Sequence, residues 1–110
     1  MNAIIENLHN HSLIRLNRKQ EVLTSDVMLL EADINYTIFN LTSGKKIVVS
    51  STLKTFENLF PKKHFLRLNK SMMLNKEYVK FIDANRITLK NEQVITVSRR
   101  RLPYVLANCK

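Results

Sequence analysis

Apolar residues recur along this chain at a spacing of two, in short runs cut by polar turns. That pattern restricts the fold more than any other feature. Leu13-Ile14-Arg15-Leu16 and Glu21-Val22-Leu23 flank the polar turn Asn17-Arg18-Lys19. Val27 to Ile34 is a mostly apolar run interrupted by Glu31 and Asp33, and Tyr36 to Leu41 is aromatic and β-branched. Lys46 to Ser50 follows, after Thr42-Ser43-Gly44-Lys45. The only glycine of the chain stands in that turn, where a positive φ is most easily adopted. Successive side chains of an extended chain leave opposite faces, so runs of this kind make half-buried strands.

Met72 to Leu74, Val79 to Ile82, Arg86 to Leu89 and Val94 to Val97 continue the pattern, linked by turns such as Asp83-Ala84-Asn85 and Lys90-Asn91-Glu92. Two segments depart from it. In Thr52 to Phe60, the residues Leu53, Phe56, Leu59 and Phe60 are expected on one helical face, with Ser51 or Thr52 as cap and Pro61 as stop. Arg99 to Asn108 reads as a second helix behind Ser98, with Pro103 restricted to its first turn. Residues 1–11 read as a tail or as a short helix through Ile4, Ile5 and Leu8. The expectation is one domain over 12–110: an all-β sandwich or open barrel of eight or nine strands with minor helix.

Charge is segregated. Residues 54–110 hold 13 Lys or Arg against 4 Asp or Glu, whereas residues 1–53 hold 5 of each sign, so the net +9 lies in the second half. A positive field concentrated on one segment fits a polyanionic partner, nucleic acid first. Other classes fall away. With one Gly, no glycine-rich phosphate loop exists, and no Ser/His/Asp set or paired-acid constellation is visible, so an enzyme and a cofactor are not expected. His9 and His11 lack a nearby second pair of metal ligands, so no metal is expected. The lone Cys109 cannot form an internal disulfide and reads as an exposed thiol. No signal peptide or membrane-length apolar run is visible, and a cytoplasmic location without membrane insertion is expected.

Four stretches occur in a telling order: Leu30-Glu31-Ala32-Asp33-Ile34-Asn35-Tyr36-Thr37, Ser50-Ser51-Thr52-Leu53-Lys54, Phe65-Leu66-Arg67-Leu68-Asn69-Lys70-Ser71 with Asn75, and Val97-Ser98-Arg99-Arg100. Together, from about Leu13 to Leu106, they resemble the LytTR family of DNA-binding domains. The resemblance implies a mostly β fold, an elongated sandwich of small antiparallel sheets with one or two short helices, that grips DNA with loops. It implies a bacterial transcriptional regulator binding double-stranded DNA at imperfect direct repeats, with self-association on that DNA. Members commonly carry a receiver domain ahead of this one. These 110 residues contain none, so a stand-alone regulator is expected. A different reading of the short chain is a protein-interaction module, or a regulator held by a membrane-bound inhibitor or co-regulator. RNA binding is disfavoured, since only Phe65 and Tyr104 offer stacking surfaces near the basic segments.

The resemblance also places base contacts in three loops. Asn35 matches the first; an amide can read adenine, and the same residue could equally make an Asx turn. Asn69 and Lys70 match the second, with Ser71 donating to phosphate. Many members carry His at the position of Asn69. Arg100 matches the third, and its planar fork suits guanine, for about 1–3 kcal/mol of discrimination. Backbone contacts are expected from Lys45, Lys46, Thr52, Lys54, Lys62, Lys63, Ser71, Arg99 and Arg101. Arg67, between Leu66 and Leu68, is expected to be partly structural, its head on a carboxylate or phosphate.

Overall fold

The computed structural model describes residues 12–109; the reading of residues 1–11 lies outside them. Ten strands form three antiparallel sheets: β1 (Leu13–Arg15), β2 (Glu21–Leu23), β3 (Val27–Asp33), β4 (Tyr36–Leu41), β5 (Lys46–Val49), β6 (Phe65–Asn69), β7 (Met72–Asn75), β8 (Val79–Asp83), β9 (Arg86–Leu89) and β10 (Val94–Thr96). Helix α1 spans Leu53–Leu59 and α2 spans Leu102–Asn108. The central sheet has the order β5-β4-β3-β7-β6, flanked by the β1-β2 hairpin and by a sheet of order β10-β9-β8. The described residues form an elongated body, 43 × 32 × 24 Å.

The central sheet is buried on both faces, which explains why β3 opens as the unbroken apolar run Val27-Met28-Leu29-Leu30. A register shift between Val27 and Leu29 breaks strict alternation. It puts Val27 and Leu30 into one core, and Met28 and Leu29 into the other. The first core adds Phe39, Phe65 and Met73 from the sheet, Leu53, Phe56 and Phe60 from the α1 segment, and Val22 from the hairpin. Its aromatic rings meet edge to face: Phe39 on Phe56 at 4.9 Å and Phe60 on Phe65 at 4.8 Å between centroids. The second core packs Leu66, Leu68 and Leu74 against Ile87, Leu89, Ile95, Val97 and Val105, so the small sheet and α2 close that face.

Three expectations are corrected. Leu59 is exposed rather than part of the helical anchor. Six positions beyond Leu53 it has turned off the face shared by residues 53, 56 and 60. The strand β6 is a tenth, beyond the eight or nine expected; Arg67 at its centre and a register shift between Arg67 and Asn69 hide its period of two. Cys109 is half-buried against the second core, and burial pushes its thiol up, opposed by the nearby Lys76.

Candidate nucleic-acid interface

Strand direction decides which loops meet. β3 runs antiparallel to β4 and β7, and those run antiparallel to β5 and β6. The β3–β4 turn, the β6–β7 turn and the exit of β5 therefore share one end of the central sheet. Two hydrogen bonds fix this end: Ala32 N–H donates to Ser71 O at 2.8 Å, and Thr37 Oγ1 donates to Ser51 O at 2.7 Å. Asn35 and Lys70–Ser71 thus crown adjacent hairpins, and Thr52 and Lys54 start α1 beside them.

The second turn is held from beneath. Asn69 Oδ1 accepts the Ser71 N–H at 2.8 Å, an Asx turn that leaves the amide's NH2 for a partner. The Arg67 side chain is only 19% exposed and spends its guanidinium inside the protein. Nε donates to Asn69 O at 2.6 Å, Nη2 to Lys70 O at 2.8 Å, and Nη1 to Glu57 Oε1 at 2.5 Å. Arg67 therefore meets a carboxylate and two loop carbonyls, joining α1 to the turn. The Lys70 ammonium is left at the exposed tip.

The third segment begins at Ser98. Its Oγ accepts the Arg101 N–H at 3.2 Å, and its carbonyl accepts from Leu102 N–H at 3.0 Å. The helix proper starts at Leu102, later than expected, with Pro103 in its first turn. Arg99 and Arg100 are exposed on the preceding turn. Arg101 turns inward: its guanidinium lies 3.9 Å from the Tyr104 ring centre, and Nη2 donates to Arg67 O at 2.7 Å. Lys70, Asn69, Arg100, Ser98 and Tyr104 then line one open cleft of about 580 Å³.

Asn35 is exposed, and the structure gives its side chain no Asx bond of the kind seen at Asn17, Asn69 and Asn91. Thr52 is the N-cap of α1, but its hydroxyl faces Thr55 Oγ1 at 3.3 Å instead of capping a backbone N–H. Asn35, Thr52, Lys54, Asn69, Lys70, Ser71, Arg99, Arg100 and Arg101 thus gather at one end. Lys45 and Lys46 do not: Lys46 pairs with Asn40, at the far end of β4, roughly 17 Å from Asn35 at the rise of a strand. Lys62 and Lys63 precede Phe65, which pairs with Asn75 at that same far end.

Sequence reasoning assigned no role to Asn75. It is buried, donates through Nδ2 to Val27 O at 2.9 Å, and accepts the Glu77 N–H on Oδ1 at 3.0 Å, locking β7 to β3. Among the described residues no group of three or more His, Cys, Asp or Glu could hold a metal ion. No described helix is long and apolar enough to cross a membrane.

The three small antiparallel sheets and two short helices are the architecture of a known class of DNA-binding domain. The family model for the LytTr DNA-binding domain matches residues 17–109, and the chain belongs to that family. Among solved structures it is similar to the LytTr DNA-binding domain of a protein from Bacillus cereus described as a methyl-accepting/DNA response regulator. The TM-score is 0.70 and the identity 24%, over 89% of this chain and 94% of that one. No curated protein matches the chain.

Proposed function

We propose that this chain regulates bacterial transcription by binding double-stranded DNA sequence-specifically, at imperfect direct repeats. Asn35, Asn69, Lys70 and Arg100 face base edges in successive major grooves. Thr52, Lys54, Ser71 and Arg99 meet phosphates. Two copies occupy one repeated site, because a domain this small covers too little DNA alone for useful affinity. The observation that carries this reading is the shared cleft: Lys70 and Arg100, far apart in sequence, line one opening, on turns that strands hold in place. The chemistry agrees. Arginine forks and amides match guanine and adenine edges, while hydroxyls and ammoniums match phosphate. Arg101 belongs to the support rather than the contact surface, because its guanidinium is already committed to Arg67 O and Tyr104.

The test is selection of bound sequences from a random duplex pool, followed by affinity measurement across a salt series. A repeated motif is expected to emerge, with preference over random DNA surviving at physiological salt. Failure of any sequence to enrich overturns the reading.

A further inference from the structure

One residue at this end has no place in the folding of the chain. Ile34, at the tip of the β3–β4 turn, is 88% exposed. Its φ is 54°, in the left-handed region that a β-branched side chain adopts only under strain. Glycine or asparagine would occupy such a position at ease. Isoleucine contributes neither to the first core nor to the second, so packing does not offset the strain. The other large apolar side chain exposed at this hairpin is Tyr36, half-exposed and carrying its own hydroxyl. Lys70, Ser71, Lys54 and Thr52 crown the neighbouring segments, and Asn35 is the next residue.

We propose that Ile34 is a specificity-determining residue that reads the C5-methyl of a thymine in the major groove; this rests on the DNA-reading role assigned above. The partner's chemistry follows from the surroundings. A cationic, hydroxyl-bearing end accepts a polyanion, and the apolar group that a duplex exposes in its major groove is the thymine methyl. The same A·T pair offers N7 and N6 of adenine, which suit the amide of Asn35. Ile34 and Asn35 side by side therefore form an apolar and amide pair matched to an A·T step. The turn holds the isoleucine ready at its tip before DNA arrives.

The experiment uses the full chain and the duplex that it selects from a random pool. Each thymine is replaced in turn by deoxyuridine, which removes only the methyl. For one thymine per repeat unit, wild-type binding is expected to weaken roughly fourfold, the worth of about one buried methyl-sized group. Ile34→Gly is expected to bind the thymine and deoxyuridine duplexes equally, while its unfolding temperature rises because the strain is gone. Ile34→Asn, which tolerates the same φ, is expected to lose the methyl preference as well. Wild-type binding indifferent to every replacement overturns the inference and leaves the DNA-reading role standing. So does an Ile34→Gly variant that keeps the wild-type methyl sensitivity. If no duplex is selected at all, both fall together.

Discussion

Arg101 and Arg67, two guanidinium side chains of like charge, belong to one hydrogen-bonded chain: Arg101 Nη2 donates to the main-chain oxygen of Arg67 at 2.7 Å. The Arg67 side chain in turn donates to Asn69 O, Lys70 O and Glu57 Oε1. Each cation meets a carbonyl or carboxylate acceptor, while Arg101 Nε lies buried without a hydrogen-bond partner. The second and third loops are thereby tied to one another and to α1.

Removing the centre of this network should separate order from charge. Arg67→Met keeps the packed stem and deletes three donors. Hydrogen bonds from charged groups contribute about 1.5–3 kcal/mol each at most, and the partly exposed Glu57 pair less, so a stability loss of about 2 kcal/mol is expected. The Lys70 turn then loses its support, so affinity for the selected duplex should fall by about tenfold or more, with a much smaller loss on random DNA. Denaturant unfolding and competition binding check the two halves. Equal losses on both DNAs would reduce Arg67 to one more positive charge.

Position along the sheet predicts which lysines matter. Arg100→Ala, on the cleft, should cost about 1–3 kcal/mol on the selected duplex and much less on random DNA. Lys54→Ala should weaken both about equally and flatten the log–log salt slope by about one. Lys62→Ala, at the far end, should leave the affinity and the slope nearly unchanged. A Lys62→Ala variant as impaired as Lys54→Ala would mean that DNA wraps the length of the sheet.

Much of this arrangement is legible in the sequence. Alternation of apolar residues located nine of the ten strands, and the lone Gly44 marked the β4–β5 turn, where its φ is 93°. The stretches that resemble the family contain the turns that the fold gathers at one end. Hidden from the sequence was which end of the sheet each basic residue occupies, because that depends on strand order and not on spacing. Lys45 and Lys70 both sit in hairpin turns, yet antiparallel pairing sends them to opposite ends. The two uses of the arginine run were equally hidden. Only the turn held by Ser98 shows that Arg100 points out while Arg101 folds back over Tyr104.

Asn75 supplies a stability prediction independent of DNA. Its buried amide bridges Val27 O, inside the protein, and the N–H of the exposed Glu77. Asn75→Leu strands the Val27 carbonyl, while water can reach the Glu77 N–H. The expected loss is about 1–3 kcal/mol, for one buried polar group left without a partner. A denaturation midpoint close to that of the wild type would show that the strands relax enough to re-pair that carbonyl.

Alkaline pH should expose a further dependence. Tyr78 donates its hydroxyl to Ser25 O at 2.8 Å, and its pKa lies above the ordinary 10.0, first because burial disfavours the phenolate and then because Glu77 and Asp26 repel it. The folded state thus holds the phenolic proton more tightly than the unfolded chain does. Its contribution is fully present below pH 10 and is lost as pH rises through the folded value, because the unfolded state ionises first. Tyr78→Phe should therefore be less stable than wild type by about 0.5–1.5 kcal/mol near neutrality, from the lost hydrogen bond. That gap should shrink above pH 10, where the wild type alone carries this titration. Urea midpoints for the two proteins between neutral and strongly alkaline pH check the convergence, and parallel curves throughout would refute it.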